Sequence, residues 1–554
     1  MTQHTSANSL SSSSFWNWLG LGSWNLYFLC KLALLWGGYL NFHPLANLVF
    51  AAFLLFPLSS PGLRRARAWI ALPAGIGLLY HDTWLPGFES IASQGGYIFS
   101  FSADYLLELF GRFINWEMVG IGFVMLTAYL FLVQWLRFTP WVMASLLWLW
   151  LSPLLVNVMP EGKVITASST VQPVKEPVDD EPGLVEAGQQ LEQSAPPTTA
   201  NLDAYLNNFY LAERGRETRF PQQLPARATP FDVLIINICS LAWSDVEASG
   251  LQQHPVWRHF DLMFDSFNSA TSYSGPASIR LLRASCGQPS HQDLYLPAPK
   301  QCLLLDNLAQ LGFEKQVAMD HSGAFGNYLK ELKDLVSLET EPMSREGLPN
   351  DLMSFDGESI YRDDALFARW LKARGESQAV RNATFFNLIS LHDGNRYAKN
   401  RQPAPYKARL RTLLDQLDHF LSELERSGRK VMVVVVPEHG AALTGDRMQM
   451  SGLRDIPSPA ITRIPVGVAF IGTQASHEPT RHIPGESSYL AISELVAKTL
   501  ASDLFGTPTI DWNGLINNLP KTPMVSENQG TVVVHYQDDY QIKLGQGDWV
   551  PYPQ

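Results

Sequence analysis

Hydrophobic positions are arranged in two different ways along the chain. Before residue 158 they form long runs, near 24–41, 43–58, 67–82, 117–136 and 139–157. Runs of about 17–20 apolar residues suit a helix crossing a hydrocarbon layer of roughly 30 Å. The first third is therefore predicted to be a bundle of about five transmembrane helices, with Pro57 and Pro73 blurring the ends of the second and third. Arg64, Arg65 and Arg67 sit between those two runs, and a basic loop stays cytoplasmic. Five crossings then put the N-terminus inside and the chain beyond residue 158 outside. The stretch 82–116, with Asp82, Glu89, Asp104 and Glu108 against Arg112, would also be outside. Four spans with an internal C-terminal domain is the alternative. The Ser- and Asn-rich start lacks the basic n-region of a cleavable leader.

Residues 159–202 repeat Pro, Glu, Gln, Ser and Thr with almost no aromatics, a composition that buries too little surface to offset chain entropy, so a flexible tether is expected. From 203 to 554 the pattern changes again. Val233 to Ile238, Glu314 to Met319, Ala383 to Ser390, Val431 to Val436 and Val466 to Ile471 read as short strands. Leu410 to Ser427 is an amphipathic helix with apolar positions at 410, 413, 414, 417, 420, 421 and 424. Apolar strands separated by helix-length segments predict an α/β domain with a mostly parallel central sheet. Residues 531–543 read as a terminal hairpin around Gln537-Asp538-Asp539.

Charge and cysteine usage narrow the class. A net charge of −11 without a basic stripe argues against a nucleic-acid partner. Cys30 reads as a small buried hydrophobe. Cys286 and Cys302 flank a Gly/Pro-rich loop and, in an exported domain, are expected to form a disulfide worth roughly 3 kcal/mol. Two unconnected buried thiols is the other reading.

In open α/β sheets ligands bind beyond the C-terminal ends of the strands. There this chain presents Cys239, then Leu391-His392-Asp393-Gly394, then Pro437-Glu438-His439-Gly440. Thiol, imidazole and carboxylate from three strands make a zinc-like donor set. Taken singly, Cys239 is more often a buried thiol and Glu438-His439 a surface turn; their shared position favours the metal. Ser274 immediately precedes Gly275-Pro276 and a helical run to Ala284. Such a serine is most often only an N-cap. A helix N-terminus is also an anion site, however, where a metal-activated hydroxyl can attack phosphorus. Its place before Gly-Pro selects Ser274 over Ser272 and Thr271. His482, Glu486 and Ser487 form a loop whose bland reading is preferred.

The segments Asn237-Ile238-Cys239-Ser240, Ser272-Tyr273-Ser274-Gly275-Pro276, Leu391-His392-Asp393-Gly394 and Val436-Pro437-Glu438-His439-Gly440 resemble those of the phosphoethanolamine transferases of the alkaline phosphatase superfamily. More narrowly, the whole chain resembles the cellulose phosphoethanolamine transferases of enterobacterial cellulose-secretion systems. The resemblance implies an alkaline-phosphatase-like fold and a zinc ion held by Cys239, Glu438 and His439, with Ser274 as fourth ligand and nucleophile. It implies that His392 binds or protonates the transferring group, and that Tyr273 and Arg454 line the substrate pocket. A solvated loop arginine is the plain reading of Arg454; a guanidinium clamp on phosphate is the functional one. Lipid A-modifying relatives carry a carboxylate, a Thr and an Asp where this chain has Cys239, Ser274 and Glu438. Sulfatase relatives need Cys/Ser-x-Pro-x-Arg, whereas here Ser278 stands in the Arg position and Arg280 is displaced.

The expected activity is transfer of phosphoethanolamine from phosphatidylethanolamine to glucosyl C6 hydroxyls of secreted cellulose, through a phosphorylated Ser274. The implied surroundings are the bacterial inner membrane, a periplasmic catalytic domain and the subunits of the cellulose synthase secretion complex. A glycerol-phosphate transferase of the lipoteichoic-acid-synthase type and a non-catalytic assembly subunit are the competing readings.

Overall fold

The computed structural model describes residues 20–58, 60–83, 116–156, 193, 195–225, 228–475 and 478–553. They belong to two compact units, one drawn from 1–85 and 114–184, the other from 86–113 and 185–554. Residues 84–115 and most of the expected tether, 159–192 and 194, lie outside the described residues.

In the first unit each apolar run overlaps a helix: Trp24–Trp36, Pro44–Leu55, Pro61–His81, Trp116–Leu132 and Phe138–Val156. Phe28, Phe50, Ala51, Leu54, Val142 and Leu146 form part of its apolar centre. The transmembrane bundle expected from the sequence is corrected here: among the described residues no helix is long and apolar enough to cross a membrane. The reason is local. The first two helices have 13 and 12 residues, which at about 1.5 Å per residue is well short of a hydrocarbon layer. The third starts at Pro61, so Arg64, Arg65 and Arg67 lie within the helix rather than in a loop, and it continues through Pro73 to His81. The fourth has 17 residues.

Among the described residues, all fifteen strands lie in the second unit. They are β1 (Asp232–Ile238), β2 (Leu262–Asn268), β3 (Phe313–Met319), β4 (Asn350–Met353), β5 (Ser359–Tyr361), β6 (Arg381–Leu388), β7 (Arg396–Tyr397), β8 (Val431–Pro437), β9 (Arg463–Ile464), β10 (Gly467–Ile471), β11 (Arg481–Ser487), β12 (Val525–Asn528), β13 (Thr531–Tyr536), β14 (Asp539–Leu544) and β15 (Trp549–Pro551). The main sheet runs β11-β2-β10-β8-β1-β6-β3, with β9 paired to β2. It is mixed, which corrects the mostly parallel sheet: β10 is antiparallel to both β8 and β2, and β9 is antiparallel to β2. An apolar run such as Val468 to Ile471 reads the same in either direction, so hydropathy carries no sign of the reversal.

Alternate residues of β1 feed two apolar layers, as a sheet covered on both faces requires. Val233 and Ile235 pack with Phe264, Ile279, Phe385, Val434 and Ile492. Leu234, Ile236 and Ile238 pack with Trp370, Phe386, Leu413, Leu417 and Phe420. Helix Tyr406–Arg426 buries the apolar stripe read from the sequence. The expected hairpin is the middle of an antiparallel sheet, β12-β13-β14-β15. Helix Thr199–Arg214 packs Leu202, Tyr205 and Phe209 onto Val525, Val534, Tyr536 and Trp549. It thereby takes in residues at the end of the stretch read as a tether.

One register fact positions the site. β1 is parallel to β6 and β8, with Ile238 level with both Leu388 and Pro437. The next residue of each strand therefore emerges at one edge.

Candidate active site

At that edge Cys239 and Glu438 are level, and His439 follows Glu438. All three side chains are buried. Ser274 opens the nine-residue helix Ser274–Leu282 and is half-buried. Its Oγ stands 3.4 Å from Cys239 Sγ and 3.2 Å from His439 Nε2. Cys239 Sγ is 3.9 Å from the same Nε2, and Glu438 Oε2 is 4.0 Å from it. One donor atom each from Cys239, Glu438 and His439 lies within 4.8 Å of the others.

Each donor is aimed by a neighbour. Glu438 Oε1 accepts from Asn387 Nδ2 at 2.6 Å and faces Ser278 Oγ at 3.2 Å, while Oε2 has no hydrogen-bond partner although fully buried. A buried carboxylate oxygen left unpaired carries a large desolvation cost unless a cation completes it. His439 Nδ1 lies 2.9 Å from Gly440 O, which can only accept, so Nδ1 carries the proton and the Nε2 lone pair faces the cluster. The 3.4 Å approach of Arg454 Nη1 to Nδ1 is then not a hydrogen bond. Thiol, carboxylate, imidazole and hydroxyl converging on one point fit a four-coordinate divalent ion of the zinc type.

Electrostatics agree with that fit. Burial, then the charge of Glu438, pushes the Cys239 thiol up to about 12. Burial, then the Arg454 guanidinium, holds His439 well below its ordinary value. The imidazole is thus neutral, as a ligand must be, and a cation beside the thiol would reverse its penalty.

The loop after His439 is pinned by Asp245, whose carboxylate accepts from the N–H groups of Ala242 and Ala441 at 2.9 and 2.8 Å. Burial raises this carboxyl to about 6 despite those bonds. Gly440 allows the approach: a Cβ there would meet Ala242 Cβ at 2.7 Å and Asp245 Oδ2 at 2.9 Å.

The remaining candidates sit around this centre. Arg454 Nη1 is 3.3 Å from Ser240 Oγ. Tyr273 is the N-cap residue of helix Ser274–Leu282, and its hydroxyl donates to Asp455 at 2.7 Å. His392 makes no hydrogen bond to Ser274 or to the three metal-type donors. Its Nδ1 is 2.8 Å from Asp393 O, its ring stacks on Phe355 at 4.8 Å, and the residue is half-buried. Dense packing, then Arg454, lowers its pKa to about 4. Cys286 and Cys302 form a disulfide. His482 and Glu486 lie on β11 and pair with Asp265 and His535.

Sequence reasoning passed over Asn237, Ser278 and Asn387, the layer behind Glu438. A signal existed: Asn237 and Asn387 are polar residues inside apolar strands and are direct register partners. A second convergent group, His43, His81 and Asp82, lies in the N-terminal unit. There Asp82 already pairs with the buried Lys31 and with Asn47 at 2.6 Å, so it needs no metal cation.

Among solved structures the chain is similar to an alkaline phosphatase superfamily protein from Vibrio parahaemolyticus, at 11% identity and TM-score 0.44, covering 63% of this chain and 90% of that one. It is also similar to the soluble domain of lipooligosaccharide phosphoethanolamine transferase A from Neisseria meningitidis, at 13% identity and TM-score 0.38, covering 55% and 99%. Residues 186–549 match the family model of the cellulose biosynthesis protein BcsG C-terminal domain, and residues 24–151 match that of its N-terminal domain. The BcsG cellulose biosynthesis proteins of Salmonella typhimurium and Escherichia coli are each 54% identical, with 100% of both chains covered. The chain belongs to the BcsG family of cellulose biosynthesis proteins.

Proposed function

We propose that this site transfers phosphoethanolamine from phosphatidylethanolamine to the C6 hydroxyls of cellulose, with Ser274 as nucleophile. The observation that carries the reading is Ser274 Oγ at a helix start, within 3.4 Å of Cys239 and 3.2 Å of His439, beside the unpaired Glu438 Oε2. Cys239, Glu438, His439 and Ser274 would hold zinc, which supplies Lewis acidity and lowers the pKa of the serine hydroxyl.

In the first step Ser274 Oγ forms a bond to phosphorus, and the bond to the diacylglycerol oxygen breaks. The free N–H groups of the helix start hold the phosphoryl oxygens. The proton lost by Ser274 ends on diacylglycerol. In the second step the glucosyl oxygen attacks the same phosphorus, and its proton ends on the released Ser274. His392, with Nδ1 turned to the Asp393 carbonyl, keeps Nε2 as an acceptor and relays that proton from the incoming hydroxyl toward the leaving Ser274 oxygen. Arg454 steadies the equatorial oxygens. Membership of a cellulose biosynthesis family supports cellulose as acceptor and the cellulose secretion system as partner. The Cys286–Cys302 disulfide supports an oxidising compartment such as the periplasm for the C-terminal domain.

The test is Ser274→Ala in cells making cellulose, with polymer phosphorus read by solid-state NMR and zinc measured on the purified chain. Loss of polymer phosphoethanolamine is expected, while Cys239→Ala loses zinc as well. Polymer still modified by Ser274→Ala sinks the nucleophile assignment.

A further inference from the structure

One carboxylate near Ser274 takes no part in that chemistry. Helix Tyr328–Val336 packs against helix Ser274–Leu282, and two of its residues, one turn apart, meet two residues of the nucleophile helix, also one turn apart. Tyr328 Oη bonds Ser278 Oγ at 2.7 Å. Glu331, three residues on, stands over Gly275, three residues back: a Cβ on Gly275 would lie 3.3 Å from Glu331 Oε2. The carboxylate is therefore held beside the residue that follows the nucleophile.

Glu331 is half-buried and forms no hydrogen bond or ion pair with any described residue. Its neighbour Lys330 is engaged with Asp334 at 2.8 Å. The placement is costly for a phosphoryl-transfer site. A helix start gathers negative charge on phosphoryl oxygens, and a fixed carboxylate alongside repels them. Only a transferred group that brings its own cation, a short tether away from phosphorus, turns this repulsion into attraction.

We propose that Glu331 is a specificity residue that binds the ammonium of the transferred headgroup and selects an aminoethyl phosphate over a glyceryl phosphate. The inference rests on the transferase reading of Ser274. A two-carbon tether keeps the ammonium within reach of a carboxylate lying over Gly275, whereas a glyceryl group offers only neutral hydroxyls. Charge-assisted bonds in a partly dry site are the stronger kind. Gly275 belongs to the same device, since a larger residue would crowd the carboxylate.

The test compares two chromogenic diesters, p-nitrophenyl phosphoethanolamine and p-nitrophenyl glycerophosphate, on the full chain. The ratio of their kcat/KM values is the readout. Glu331→Gln is expected to lower that ratio about tenfold, an effect in the range of one charged hydrogen bond. Glu331→Asp, which keeps the charge, retains more of it, and Glu331→Lys inverts the preference. A ratio within about twofold of the parent in Glu331→Gln and Glu331→Lys overturns the assignment while leaving the Ser274 reading intact. A parent that turns over neither diester, or one whose turnover survives Ser274→Ala, overturns both.

Discussion

Asn387 Nδ2 stands 2.6 Å from Glu438 Oε1, and this contact divides one buried carboxylate into a held oxygen and an unpaired one. Asn387 is itself steadied by Asn237 Oδ1 at 3.1 Å, and Asn237 donates to Val436 O at 2.8 Å. Three parallel strands are thus tied together directly behind the metal-type donors. Such outer partners typically tune metal affinity by about 10- to 100-fold. Asn387→Leu is expected to keep the fold and weaken zinc retention by that factor in a chelator competition. Unchanged retention would show that Glu438 is aimed by something else.

The disulfide acts on more than its own loop. Thr218 N donates to Ser285 O at 2.8 Å, Gly287 N to Arg216 O at 2.8 Å, and Gln288 N to Glu213 Oε2 at 2.8 Å. The bridged loop therefore holds the chain that leaves helix Thr199–Arg214. Closing a segment with sequence separation 16 is worth roughly 3 kcal/mol through the unfolded state. Cys286→Ser/Cys302→Ser is expected to lose about that in chemical denaturation, with faster amide exchange at Thr218 and Gly287. Equal stability with and without the bridge contradicts this account.

How much of this could be read beforehand depends on what each feature writes into the chain. β1, β6 and β8 are near-continuous apolar runs, and a buried parallel strand must be one, so Cys239, His392 and Glu438-His439 could be assigned to strand ends. Ser274 was legible because Gly-Pro marks a helix start. β2 was not, since the exposed Asp265 and the half-buried Ser266 break its apolar run. Glu331 was invisible because its meaning lies in the packing of two helices, not in its neighbours along the chain. The transmembrane reading failed for a related reason. The apolar runs 24–41 and 43–58 continue past Trp36 and Leu55, but their helices end there.

A buried bidentate ion pair at the start of β1 is a stability device. Arg374 Nε and Nη2 meet the two oxygens of Asp232 at 2.8 and 3.0 Å, and both side chains are buried. Asp232 Oδ1 also accepts from Asn382 N at 2.9 Å, joining β1 to β6. Removing one partner strands the other charge in a dry place, which costs about 3–5 kcal/mol. Arg374→Met is expected to lose stability in that range. Arg374→Met/Asp232→Asn should recover part of the loss, because no unpaired carboxylate remains. A double variant as weak as the sum of the singles would mean that the two residues act independently.

Stability should also carry a pH signature at the C-terminal sheet. His535 on β13 meets Glu486 on β11 at 2.5 Å, and Glu486 Oε2 accepts from Met524 N at 3.0 Å, so this contact joins the small sheet to the large one. The hydrogen bond to Glu486 raises the His535 pKa above its ordinary value of 6.5; Asp538 adds to the rise, while burial and Arg463 oppose it. A histidine whose folded pKa is raised binds its proton more tightly when folded. Its contribution is therefore fully present below the unfolded value near 6.5 and fades as pH climbs through the folded value. His535→Asn is expected to be less stable than the parent at mildly acidic pH, with the gap closing as pH rises past neutrality. Urea midpoints across that window measure it. A gap that stays constant, or widens with pH, would assign His535 a packing role instead of a charged one.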